Sequence, residues 1–179
     1  EHNKNFRFTM TTNGVLLNDE IIDYLNTHMS NVVLSIDGRK AVNDKMRYTI
    51  SGGGTYDIIV EKFKKLIEKR EGKSYYVRGT FTKNNLDFAN DVIHLADLGF
   101  KSTSVEPVVA KPTDSYAITE EDIETLNLQY EALAEEIVNR NNTDKAFSFF
   151  HFAIDMKQGP CVIKRLSGCG AGSEYLAVT

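Results

Sequence analysis

Tryptophan is absent from this 179-residue chain, and cysteine and proline are scarce, at two and three residues. Two cysteines exclude a disulfide scaffold and suit a reducing compartment, so the expected location is cytoplasmic. Few prolines and only 12 glycines argue against long disorder. No basic block occurs, and 21 Lys plus Arg are outnumbered by 25 Asp plus Glu, a net charge of -4. Nucleic acid is therefore not an expected partner. No apolar run approaches the roughly 18 residues of a membrane span, and no charged-then-apolar leader opens the sequence, so no membrane partner is expected. The length fits one ordinary domain.

What is present is an alternation of two kinds of segment. Phe6 to Thr12 is short, aromatic and β-branched, and Asn13-Gly14 closes it with turn residues, which predicts a strand. Ile21, Ile22, Leu25 and Met29 recur at helical spacing over Asp19 to Met29. Asn31 to Ile36 is apolar on both parities, as in a parallel strand buried on both faces, and Asp37-Gly38 ends it as a turn. Residues 39–55 are polar and read as a loop. Tyr56 to Lys69 is a helix with Ile59, Phe63, Leu66 and Ile67 on one face. Ser74 to Thr82 is a third strand. Asp87 to Leu98 is a helix stopped by Gly99. Lys101 to Val109 holds a fourth strand, with Pro107 confined to its end or to an edge. Thr119-Glu120-Glu121-Asp122 fits a capping box opening a helix to about Arg140. Ala146 to Met156 is aromatic and predicts a helix, and residues 157–173 are glycine-rich and carry Cys161 and Cys169.

Four strand-helix units with crossovers of this length predict an α/β fold with parallel strands, either part of a (β/α) barrel or an open doubly wound sheet. Ligands then sit at the C-terminal strand ends. Strand-like segments at both extremes, Phe6 to Thr12 and Glu174 to Thr179, suggest a piece of a longer protein.

Few residues announce chemistry by themselves. Gly52-Gly53-Gly54 lacks a Walker lysine and does not follow a strand, so it reads as a connector. His2, His28, His94 and His151 have no metal-ligand spacing. Ser35 is not in a nucleophile elbow. Glu106 fits either a strand-end ligand contact or a salt-bridged barrel carboxylate. Cys161 and Cys169 are too far apart for a C-x-x-C motif and too few for a cluster, which favours free thiols; the Gly168-Cys169-Gly170-Ala171-Gly172 turn would also suit a metal ligand.

Taken in order, several segments resemble the radical S-adenosylmethionine enzymes that carry a SPASM-type cluster domain. Thr11-Thr12-Asn13-Gly14-Val15-Leu16-Leu17 is similar to the T-N-G-x-L segment after the third barrel strand, and Leu34-Ser35-Ile36-Asp37-Gly38 to the S-[IL]-D-G segment ending the fourth. Asn43-Asp44-Lys45-Met46-Arg47 and Gly54-Thr55-Tyr56 are similar to the H-[ND]-x-x-R…G-[ST]-[FY] stretch, with Val42 where the family often has His. Glu106-Pro107-Val108-Val109 resembles the end of a sixth strand. Gly159-Pro160-Cys161 and Gly168 to Thr179 resemble the maturases of six-cysteine peptides, which form thioether links from cysteine sulfur to a backbone α-carbon.

The resemblance implies residues 1–145 as the third to sixth units of a six-stranded partial TIM barrel. It makes residues 146–179 a linker and the start of the SPASM domain. It implies S-adenosylmethionine and 4Fe–4S clusters as cofactors of a full-length parent, with none bound to this piece, because the C-x-x-x-C-x-x-C and G-G-E-P motifs are missing from it. In such enzymes a 5′-deoxyadenosyl radical removes hydrogen from a precursor peptide. Thr12 and Asn13 would line the cofactor floor, Ser35 would meet the ribose, Arg47 the methionine carboxylate, and Arg78 would be a further contact. Cys169, and less directly Cys161, would ligate an auxiliary cluster. Other readings are a sulfatase-maturase-type enzyme, a peptide-binding module without chemistry, and an unrelated (β/α) domain with a chance Gly-Cys-Gly turn. A barrel cut open would expose strand edges and favour self-association.

Overall fold

A computed structural model of the protein describes residues 4–153; Cys161, Cys169 and the glycine-rich tail lie outside the described residues. Five strands form one sheet: β1 (Thr9–Thr12), β2 (Asn31–Ser35), β3 (Tyr75–Phe81), β4 (Ser102–Pro107) and β5 (Ser148–Phe149). Their order in the sheet is their order in the chain, and every pair is parallel. The helices are α1 (Asp19–His28), α2 (Lys40–Met46), α3 (Tyr56–Glu68), α4 (Phe88–Asp97) and α5 (Ile123–Arg140). No helix of the described residues is long and apolar enough to cross a membrane.

Register explains the layering. Val33, Ser35 and Arg78 share one face, because Val33 pairs with Tyr76 and Ser35 with Arg78. Their neighbours Val32, Leu34, Ile36 and Val77 are sealed with Phe63, Phe88, Val92 and Leu95 in a single core. Side chains alternate along a strand, so the apolar set faces the helices and Ser35 faces away. The helix layer covers one face only. Phe81 and Phe88 stack at 4.2 Å in its middle, and Tyr130 of α5 meets Phe88 edge-on at 4.8 Å.

Local signals explain most boundaries. Asn18 caps α1 by accepting from the Ile21 N–H at 2.9 Å. The capping box forms as read: the Thr119 N–H donates to Asp122 at 2.9 Å, and a short 3-10 turn leads into α5. Pro107 sits at the end of β4, where its missing donor costs nothing.

Two segments differ from the expectation. Residues 39–55 are not only loop, because α2 lies within them; it has no apolar stripe, and its one buried residue is Asn43. Residues 148–149 form β5 and 150–152 a 3-10 turn, not an α-helix. The free edge of β4 decides this: the Ser148 N–H donates to the Lys101 carbonyl at 2.8 Å, and Phe149 drops into the core. The sheet thus has five strands where four were expected.

Candidate functional site

A cleft of about 800 Å³ opens beside the turn after β1 and the segment after α2. Leu16, Met46, Tyr48 and Ile50 form its walls, all exposed, and Asn13 and Arg47 are among its polar lining. The Tyr48–Ile50 wall is held up by a tight turn: Tyr48 bridges Gly54 antiparallel, and the Gly52 N–H donates to the Thr49 carbonyl at 2.8 Å. Gly54 must lack a side chain, since a Cβ there would lie 2.1 Å from the Asp44 carboxyl carbon. The triple glycine is therefore a shaped turn against α2.

The motif between α2 and α3 is wired by hydrogen bonds. Arg47 donates from Nε and Nη2 to the two oxygens of Asp37, both at 2.8 Å. Asn43, fully buried, accepts from the Asp37 N–H at 3.3 Å and donates to Thr55 Oγ1 at 3.2 Å. Thr55 Oγ1 donates in turn to the Arg47 carbonyl at 3.0 Å. Asp44 accepts from the Tyr56 N–H at 2.8 Å and so caps α3. Burial pushes the Asp44 carboxyl up, but the bonds from Tyr56, Asn43 and Lys40 outweigh it and hold the group below its ordinary range.

A second knot fixes the other side of the β2 turn. Asp91, fully buried on α4, accepts from the Arg39 N–H at 3.0 Å, from Arg39 Nε at 2.7 Å and from Asn85 at 3.2 Å. The bond to Asp91 raises the already high pKa of Arg39, against an opposing effect of burial. Gly38, at φ +139°, passes so close that a Cβ would sit 2.3 Å from Asp91 Cβ.

The expected site residues divide into three groups. Asn13 and Arg47 share the cleft. Ser35 and Arg78 are cross-strand neighbours on the open face. The Ser35 hydroxyl has no hydrogen-bond partner among the described residues, whereas Arg78 Nη2 is paired with Glu106 at 2.6 Å. Glu106 is thus a salt-bridged barrel carboxylate in this structure, and the bond raises the Arg78 pKa. Thr12 stands apart: it pairs with Leu34, and its hydroxyl accepts from the Gly14 N–H at 3.1 Å. It shapes the turn next to the cleft and does not line it. Cys161 and Cys169 lie outside the described residues. Among the described residues no group of three His, Cys, Asp or Glu side chains could hold a metal ion.

Sequence reasoning missed the working roles of Asp37, Asn43 and Asp44. Asp37 was read as a turn residue. The available signal was its place two residues past Ser35, on the same alternation, beyond a strand buried on both sides.

The parallel sheet with helices on one face defines the fold class, a partial (β/α) barrel. No protein-family model matches the chain, and no curated protein matches it significantly. Solved structures match its fold. Native anSMEcpe with bound AdoMet and Kp18Cys peptide is similar at a TM-score of 0.71 and 20% identity, over 84% of this chain and 42% of that one. Streptococcus suis SuiB bound to S-adenosylmethionine is similar at 0.56 and 18%, over 79% and 32%. SuiB bound to precursor peptide SuiA gives 0.55 and 18%, over 79% and 31%. The chain spans less than half the length of the anSMEcpe and SuiB chains.

Proposed function

We propose that the chain is a segment of a radical S-adenosylmethionine peptide maturase that acts on a precursor peptide and forms thioether crosslinks. The observation that supports this reading is the fold match, at a TM-score of 0.71, to a structure holding both AdoMet and a peptide. The residues present fit the nucleoside. Arg47 offers a guanidinium to a carboxylate inside an apolar-walled cleft, and Ser35 keeps a free hydroxyl at a strand end for the ribose. The chemistry that bound S-adenosylmethionine supplies in such enzymes is hydrogen abstraction from the peptide. This chain's own part is to bind and orient: Arg47 at the carboxylate, Asn13 and Thr12 at and behind the cleft floor, Ser35 and Arg78 on the open face.

The described residues do not fit an iron–sulfur cluster, and two thiols fall short of the three that a site-differentiated cluster needs. The 179-residue chain alone is expected to bind no stoichiometric cluster and to be inactive. Iron reconstitution that leaves about four irons per chain would contradict this. In the longer enzyme, Ser35→Ala should weaken S-adenosylmethionine binding roughly tenfold with iron content intact, the loss of one hydrogen bond. Cys169→Ala should lower the iron content and leave that binding in place; unchanged iron and crosslinking would remove Cys169 from the auxiliary cluster. Residues 1–145 then serve as the third to sixth barrel units and 146–179 lead into the cluster domain. The exposed Phe6, Phe8 and Met10 beside the free edge of β1 support self-association of the isolated piece, which sedimentation would detect.

A further inference from the structure

We propose that Asp37 is a positioning residue that sets the Arg47 guanidinium so that its end-on fork faces the cleft. The inference rests on the reading of Arg47 as the partner of a ligand carboxylate. It goes beyond that reading in naming what aims the arginine.

An arginine carries five N–H donors. Asp37 occupies the side-on pair, Nε–H and one Nη2–H, at 2.8 Å each. The two Nη1 hydrogens and the second Nη2 hydrogen have no acceptor among the described residues. One hydrogen from each Nη makes a parallel fork, the geometry a carboxylate takes bidentately. Arg47 lines the cleft, so the free fork has room for a ligand.

Both members of the pair are anchored. Asp37 is 3% exposed, and its Oδ1 also accepts from the Thr80 N–H at 3.0 Å. Its backbone lies directly over Gly79 of β3: a Cβ there would sit 2.8 Å from Asp37 Cα and 2.5 Å from the Ile36 carbonyl. The Arg47 backbone is tied at its N–H to the Asn43 carbonyl at 2.7 Å and at its carbonyl to Thr55. A long, flexible side chain is thus held at its root and at one edge of its head. Asp37 also offsets the Arg47 charge, so the pair selects a ligand by fork geometry more than by charge.

The test uses the full 179-residue chain, uniformly 15N-labelled. L-Methionine and L-methioninol, which lacks the carboxylate, are titrated separately while the Arg47 Nε–H resonance is followed, assigned with Arg47→Lys. The wild-type resonance should respond to methionine and not to methioninol. In Asp37→Asn the methionine response should weaken at least tenfold, while the amides of Leu34 and Val77 keep their exchange protection. An unaltered response in Asp37→Asn overturns the positioning role and leaves Arg47 as the carboxylate partner. No response in the wild type overturns the Arg47 reading and this proposal with it. If Asp37→Asn fails to fold, Asp37→Glu takes its place: it keeps the charge and shifts the carboxylate by one methylene relative to Arg47. A tenfold loss there supports the proposal, and an unaltered response overturns it.

Discussion

The two faces of the same sheet do different work. On the helix side, Val32, Leu34, Ile36, Val77 and Val105 are sealed completely. On the other side, one residue along each strand, stand Ser35, Arg78, Ser104 and Glu106, all polar; Glu106 accepts from Arg78 at 2.6 Å and from Ser104 at 3.3 Å, while the Ser35 hydroxyl has no partner among the described residues. Leu34 and Ser35 are adjacent in sequence and differ in everything that decides their role. The comparison teaches that burial of one face supplies the stability, which leaves the other free to carry groups that stability would not select. The turn beyond β2 joins the two, since Asp37 holds Arg47 of the cleft while Arg39 grips Asp91 beneath the helix layer.

Five variants would break or sharpen this contrast. Phe63→Ala should cost most, about 3–5 kcal/mol in urea unfolding, because Phe63 is fully buried against Gly14. Arg78→Ala, on the open face, should stay within about 0.5 kcal/mol; equal costs would end the distinction. Asp91→Asn should come next at about 1–3 kcal/mol, discounted because Arg39 is about a third exposed. A loss near zero would mean that the knot under α4 does not hold the β2 turn.

Acid should act through the helix layer as well. Burial lowers the His94 pKa, and its Nε2 lies 2.6 Å from the Tyr56 hydroxyl. The folded state therefore favours neutral His94, and the unfolded chain takes up the proton first as pH falls. The stability is fully present above the ordinary histidine value of about 6.5 and is lost as pH drops through the lowered folded value. Melting temperature should fall between pH 7.5 and 5.5, and His94→Gln should flatten part of that slope; burial also lowers the His151 pKa, so some slope remains. The smallest effect belongs to Ser35→Ala, within about 0.5 kcal/mol of wild type by the same unfolding measurement. A larger loss would show that its hydroxyl serves the fold.

Much of the fold was legible because the long elements carry clean periods. Leu25, Phe63 and Leu95 announce helix faces, and residues 31–36 announce a strand covered on both sides. The parts that were not legible are the ones with too little pattern. Helix α2 is seven residues held by Asn43 and Asp44 side-chain bonds, and such bonds leave no hydrophobic stripe. Strand β5 is two residues in an aromatic run that suits a helix equally well, until β4 offers an open edge. At the site, Arg47 and Asn13 followed from resemblance, but the partner of Arg47 did not. Asp37 lies ten positions earlier, and only the chain reversal through α2 brings the two together. Strand alternation puts Thr12 on the side of Leu34, where its hydroxyl accepts from the Gly14 N–H, a role that the resemblance does not name.

The sheet order has a consequence for how the molecule is made. Because β1 to β5 lie side by side in chain order, each strand from β2 onward finds a partner that has already left the ribosome. No strand needs to be held open for a later one to insert. Each unit can dock on the last, burying one more strip of apolar surface per step. The vulnerable moment is the wait between β4 and β5. Some forty residues, most of them in α5 and its approaches, must appear before Ser148 and Phe149 can cover the β4 edge.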